Sequence, residues 1–116
     1  MGTLWLVVLT KPVEGREDEY NDWYTYTHLD DVLATEGFRA AQRFKWVPSK
    51  LSRDAPFEYL AIYEVDEASR ERAEAALLKA AGTEAMPISD AMDKHNAKWW
   101  FQSITDRVEA GREPVR

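Results

Sequence analysis

One short stretch, Glu17 to Phe38 (EDEYNDWYTYTHLDDVLATEGF), concentrates the side chains that could do chemistry: Trp23, Tyr24, Tyr26, His28 and Asp31. Drawn as a helix, it places Tyr20, Trp23, Tyr24, Thr27, His28 and Asp31 on one arc. Tyr24 precedes His28 by four residues and Asp31 follows it by three, the two spacings at which helical side chains touch. A carboxylate at one imidazole nitrogen would fix the tautomer and leave the other as a proton acceptor. The pattern is therefore that of a general base, His28 tuned by Asp31, with a tyrosine hydroxyl for the oxygen that gains charge. Tyr24 lies about 40° from His28 on a regular helix and Tyr26 about 160°, which favours Tyr24. A plainer reading stands beside this one, because aromatic helix faces are often simply core.

His95, just before the last apolar run, is a second candidate as the matching acid. Trp23, Tyr26, Arg43 and Phe44 are candidate substrate contacts, Arg43 for a substrate carboxylate. Other chemistries find little to work with. The chain has no cysteine, which excludes disulfides, thiolate metal sites and cysteine nucleophiles. Its five glycines are isolated, so no phosphate loop is present, and no serine sits in a nucleophile elbow. With His28 and His95 the only imidazoles, no metal site and no cofactor are expected.

The composition sets the frame for these residues. A chain of 116 residues, 45% hydrophobic with five tryptophans, has the length and apolar content of one packed domain spanning 1–116. A net charge of −6 without a basic cluster argues against nucleic acid as a partner. The six-residue apolar run near the start is too short for a signal peptide or a membrane span, so a cytoplasmic location and no membrane partner are expected.

Hydrophobic periodicity then gives the elements. Leu4 to Thr10 is a continuous apolar run ended by Lys11-Pro12, read as a central strand buried on both faces. The helix from Glu17 should end by Gly37. Phe38 to Val47 alternates, with Phe38, Ala40, Gln42, Phe44 and Trp46 on one face and Arg39, Ala41, Arg43 and Lys45 on the other. Pro48 to Pro56 reads as an exposed loop, and Phe57 to Val65 as a third strand. Asp66 is placed to cap a helix over residues 67–81, whose Ala73, Ala76, Leu77 and Ala80 form a packing stripe before Gly82. Thr83 to Ala97 could hold a short helix begun by Pro87. Lys98 to Ile104 is a fourth strand, and the tail over about 106–116 is expected to be extended or to contact a partner chain.

The order strand, helix, strand, strand, helix, strand predicts an α+β, ferredoxin-like βαββαβ domain with two helices on a four-stranded antiparallel sheet. Its bare face would carry tryptophans, too apolar for an open surface, so a homodimer through the sheet faces is expected.

The run Trp23-Tyr24, His28, Leu29, Asp31, Leu33, then Gly37-Phe38, Ala40 or Ala41 and Arg43-Phe44 resembles the signature of EthD-like proteins of the dimeric α+β barrel superfamily. The resemblance is strongest over residues 17–44 and implies that two ferredoxin-like subunits join their sheets. It also implies a pocket between helix and sheet, with His28 at the motif's proton-moving histidine. Asp30 and Glu36 stand where that signature has prolines, which would let the helix continue further. Residues and resemblance together suggest a cofactor-independent lyase, isomerase or cyclase acting on a small aromatic or polyketide-like substrate. A non-catalytic small-molecule binding or accessory protein, or a cofactorless monooxygenase on a phenol, are the alternatives.

Overall fold

The computed structural model describes residues 2–113 of the chain. Four strands, β1 (Thr3–Thr10), β2 (Phe38–Lys45), β3 (Tyr59–Asp66) and β4 (Ala97–Gln102), form one antiparallel sheet in the order β2-β3-β1-β4. The helical layer consists of α1 (Glu17–Trp23), a π-helical turn (Tyr24–His28) and α2 (Leu29–Leu33) in one continuous run, and of α3 (Arg70–Ala80). This is the expected ferredoxin-like arrangement. No helix among the described residues is long and apolar enough to cross a membrane.

Strand pairing settles which side chains share a face. Leu4, Leu6, Val8 and Thr10 of β1 lie opposite Val65, Tyr63, Ala61 and Tyr59 of β3, and all eight are buried under the helices. The intervening Trp5, Val7 and Leu9 are only half-buried, because among the described residues no element covers that side. The expectation that β1 is covered on both faces therefore holds here for one face alone.

A bulge between Phe38 and Ala40 changes the reading of β2. One residue is added to the strand there, so the alternation changes parity. Phe38 pairs with Val65, and Ala41, Arg43 and Lys45 pair with Tyr63, Ala61 and Tyr59, on the helix side. Ala40, Gln42 and Phe44 turn to the open side, opposite Glu64, Ile62 and Leu60. The sequence pattern had grouped Phe38 with Phe44; the bulge separates them.

The helices end where glycine permits the chain to turn. Gly37 has φ +91°, and its α-carbon lies so close to α3 that an added Cβ would come within 2.7 Å of the Ala73 Cβ. Ala73 is fully buried there, with Leu77 and Ala80 also packed on the core. Asp66 does not cap this helix: its carboxylate pairs with Arg39 at 2.6 Å, and a short 3-10 turn (Glu67–Ser69) leads into α3 instead.

The segment from Thr83 to Asn96 forms no helix; Pro87 begins none, and the chain takes turns and isolated bridges. It is nonetheless tied down by backbone bonds, Val13 N–H to Ala91 O at 2.7 Å and Asp93 N–H to Lys11 O at 2.9 Å, and buries Met86 and Ala91. Arg16 adds a clamp, donating to Glu19 and to the Asp90 carboxylate at 2.6 and 2.7 Å. Of the expected tail, residues 106–113 are exposed and have no helix or strand, and the remainder lies outside the described residues.

Candidate functional site

Between the helical layer and the sheet lies a cavity of about 350 Å³, a volume suited to a small organic molecule. Its walls are mainly aliphatic, from Leu6 and Val8 of β1, Val32 of α2, Leu77 of α3, and Met86 and Met92 of the irregular segment. The polar residues in this lining are Thr10, Tyr24, His28, Tyr63, Asn96 and Lys98.

His28 reaches the cavity through the π-helical turn. The Leu29 N–H donates to Tyr24 O, a five-residue span, so the turn holds one residue more than an α-helical turn. Residues five apart, which stand about 140° apart on an α-helix, are thereby brought towards alignment. Trp23 and His28 accordingly stack, with ring centroids 4.7 Å apart and planes 28° from parallel. Tyr24 meets the same imidazole edge-on at 4.9 Å. The Trp23 indole is anchored in turn by its N–H to Pro87 O at 3.3 Å.

The imidazole is thus held by rings and not by hydrogen bonds. Its Nδ1 is buried with no partner, and burial, then the charges of Lys98 and Arg43, hold its pKa down to about 4. At neutral pH it is uncharged. The expected bond to Asp31 is absent: Asp31 does not line the cavity, and its Oδ2 is likewise buried without a partner. The π-helical turn instead sets the imidazole against the rings of Trp23 and Tyr24.

Tyr24 is buried, and its hydroxyl accepts from Tyr63 Oη at 3.2 Å, which leaves its own proton free for a further acceptor. Burial pushes its pKa up to about 12, and that of Tyr63 is raised further for the same reason. Both phenols therefore stay protonated.

The remaining candidates fall outside the cavity. Tyr26, 76% exposed, points to solvent on the far side of the turn and contributes nothing to the lining. Phe44 lies on the open face of the sheet, where the bulge puts it. His95 is exposed and bonded to Asp93 at 3.0 Å in a separate depression, although its segment does form the cavity wall. Arg43 packs on the helix side against three tyrosine rings, 4.4 Å from that of Tyr24, and behind the cavity rather than in it. Trp23 supports His28 from the rear.

Sequence reasoning missed Lys98, Asn96, Tyr63 and Thr10 as cavity residues. The available signal was parity: Lys98 is the only charged residue in β4, and pairing with Val8 turns it to the helix side. Among the described residues no three His, Asp or Glu side chains come together as a metal site.

No protein-family model matches the chain, and no curated protein does. Solved structures do resemble it. An EthD-like protein from Ralstonia eutropha JMP134 aligns over 92% of this chain and 96% of its own, with a TM-score of 0.68 at 18% identity. An ethyl tert-butyl ether D (EthD) family protein from Bacillus halodurans C-125 covers 90% and 100%, with a TM-score of 0.58 at 14% identity. A candidate monooxygenase from Shewanella loihica PV-4 covers 91% and 99%, with a TM-score of 0.59 at 16% identity. At such identities the likeness is one of fold, and the fold is the EthD-like one that the motif of residues 17–44 suggested.

Proposed function

On the premise of an EthD-like fold, we propose that this chain takes a small, largely apolar molecule into the cavity and moves a proton on it with His28, without a cofactor. The observation that carries this reading is a neutral imidazole on the wall of an aliphatic cavity, with no protein group hydrogen-bonded to it.

In the proposed step His28 accepts a proton from an acidic C–H or O–H of the substrate. The bonding pair stays on the substrate as an enolate or phenolate, and the Tyr24 hydroxyl donates to that oxygen. Return of the proton to another atom completes an isomerisation; its delivery to a departing group completes an elimination. A base with a pKa near 4 is weak in the empty cavity. An anion forming beside it favours the imidazolium, and so does the Trp23 ring face, which attracts a cation. The base thus gains strength as the transition state develops, which is where catalysis needs it. General-base help of this kind amounts to about a hundred- to ten-thousandfold.

A binding-only role is supported by one specific observation, the lack of a carboxylate orienting Nδ1. The likeness to the Shewanella loihica candidate monooxygenase supports a third reading, oxygen-consuming chemistry, for which a phenol is the substrate to test. A melting-temperature screen of wild type and His28→Gln against enolisable ketones, lactones and phenols separates them, with mass spectrometry of each recovered ligand and an oxygen electrode. A ligand that stabilises both proteins, and is altered by wild type alone without oxygen uptake, supports proton transfer. Ligands returned unaltered by wild type overturn it in favour of binding.

A homodimer through the open sheet face belongs to the same proposal. Support comes from Trp5, Val7, Leu9, Leu60 and Ile62 on that face beside Trp99 and Phe101, which are 52% and 54% exposed.

A further inference from the structure

The cavity lining has a charge character opposite to that of the whole chain. The protein carries a net charge of −6, yet no aspartate or glutamate lines the cavity. Lys98 is its one lysine or arginine, projecting from β4 opposite Val8.

The Lys98 ammonium is not neutralised by the protein. Its Nζ donates at 2.6 Å to Asn96 Oδ1, a neutral acceptor, and no carboxylate lies within salt-bridge distance among the described residues. An ammonium has three donors, so the Asn96 bond aims the group and leaves capacity unused. Lys98 and Asn96 are exposed to solvent at the rim of the cavity, and the partial desolvation of the Lys98 ammonium against that apolar lining lowers its pKa. A ligand anion would offset that desolvation. The positive field is reinforced from behind Tyr24, where the guanidinium of Arg43 lies 4.4 Å from the ring.

We infer that Lys98, aimed by Asn96, is the anion-binding group of this cavity, and that the ligand is an apolar molecule bearing one acidic oxygen, a phenol or an enolisable 1,3-dicarbonyl, held as its phenolate or enolate. The aliphatic walls accept the carbon skeleton, and Lys98 takes the oxygen, with the Tyr24 hydroxyl a further donor in the same lining. A fully hydrophilic anion is disfavoured because the rest of the lining offers it little. The inference rests on the cavity being a small-molecule site, and not on turnover by His28.

The probe is 4-nitrophenol, whose absorption distinguishes phenolate from phenol, titrated into the intact protein across its own ionisation range. Wild type is expected to bind it as the phenolate and to lower its apparent pKa. Lys98→Met should weaken phenolate binding roughly tenfold or more, the scale of one hydrogen bond to a charged group, while uncharged 4-nitroanisole binds as in wild type. Lys98→Arg should retain the preference for the anion, and so should His28→Gln, whose turnover is immaterial to this readout. Binding of neutral phenol only, no binding by wild type, or a Lys98→Met protein that holds phenolate as tightly as wild type would each overturn the inference. Failure of the proton-transfer reading shows separately, as ligands that bind as anions and are returned unaltered.

Discussion

The imidazole of His28 lies flat against the indole of Trp23, five residues earlier, because the turn between them is π-helical. The stack keeps water from the ring. Trp23→Ala should therefore let the His28 pKa rise from about 4 towards the ordinary 6.5, by about one unit or more, in an NMR titration of the ring protons. An unchanged titration would mean that the sheet side, not Trp23, desolvates the ring.

A depressed histidine pKa links to stability with a definite sign. Above about pH 6.5 His28 is neutral in both folded and unfolded chains and contributes no pH dependence. Between about pH 6.5 and 4 the unfolded chain takes up a proton that the folded cavity refuses, so stability falls as pH falls, by about 3 kcal/mol. Urea unfolding of wild type and His28→Gln at several pH values isolates this share. The gap between the two proteins should change across that window and stay constant above it.

Arg43 has Tyr24, Tyr59 and Tyr20 around its guanidinium at 4.4, 5.2 and 5.3 Å, and Nη1 donates to Thr25 Oγ1 at 2.9 Å. Its Nη2 is buried without a partner. A planar, weakly hydrated cation suits such a cage, whereas a lysine ammonium would want water there. Arg43→Ala is expected to cost about 2–4 kcal/mol through lost packing and cation–π attraction, and Arg43→Lys about 1–2 kcal/mol. Denaturant midpoints check both; a change within about 0.5 kcal/mol would place Arg43 among ordinary surface residues.

At Gly37, φ +91° and the 2.7 Å approach to the Ala73 Cβ act together. Gly37→Ala should lose about 2–4 kcal/mol, from strain in the left-handed region and from overpacking against α3. In Gly37→Ala/Ala73→Gly the steric part should be relieved and the strain remain, so thermal unfolding of the pair separates the two causes.

The open sheet face gives the last prediction. If two chains pair there, Trp99→Glu or Phe101→Glu should shift the protein from dimer to monomer in sedimentation, with the fold intact by circular dichroism. A wild type that sediments as a monomer at all concentrations would remove the dimer from the proposal.

Most of the fold was legible because its determinants are local. The apolar runs of β1 and β3, the small-residue stripe of α3 and the glycines after each helix act on neighbouring residues, and the order of elements then admits few topologies. Helical spacing favoured Tyr24 over Tyr26 as the inward side chain and placed it beside His28, although Tyr26 stayed among the candidate substrate contacts until the structure put it in solvent. What only the tertiary structure decided were the departures from regular period: the π-helical turn, which exchanges Asp31 for Trp23 as the neighbour of His28, and the bulge after Phe38, which turns Arg43 under the helix and Phe44 away. Each inserts one residue where pairing and packing with distant segments favour it, and nothing in the adjoining sequence marks the place. Lys98 and Asn96 entered the site in the same way. They come to His28 through the pairing of β4 with β1 across some ninety residues of sequence, a long-range pairing that the adjoining residues do not encode.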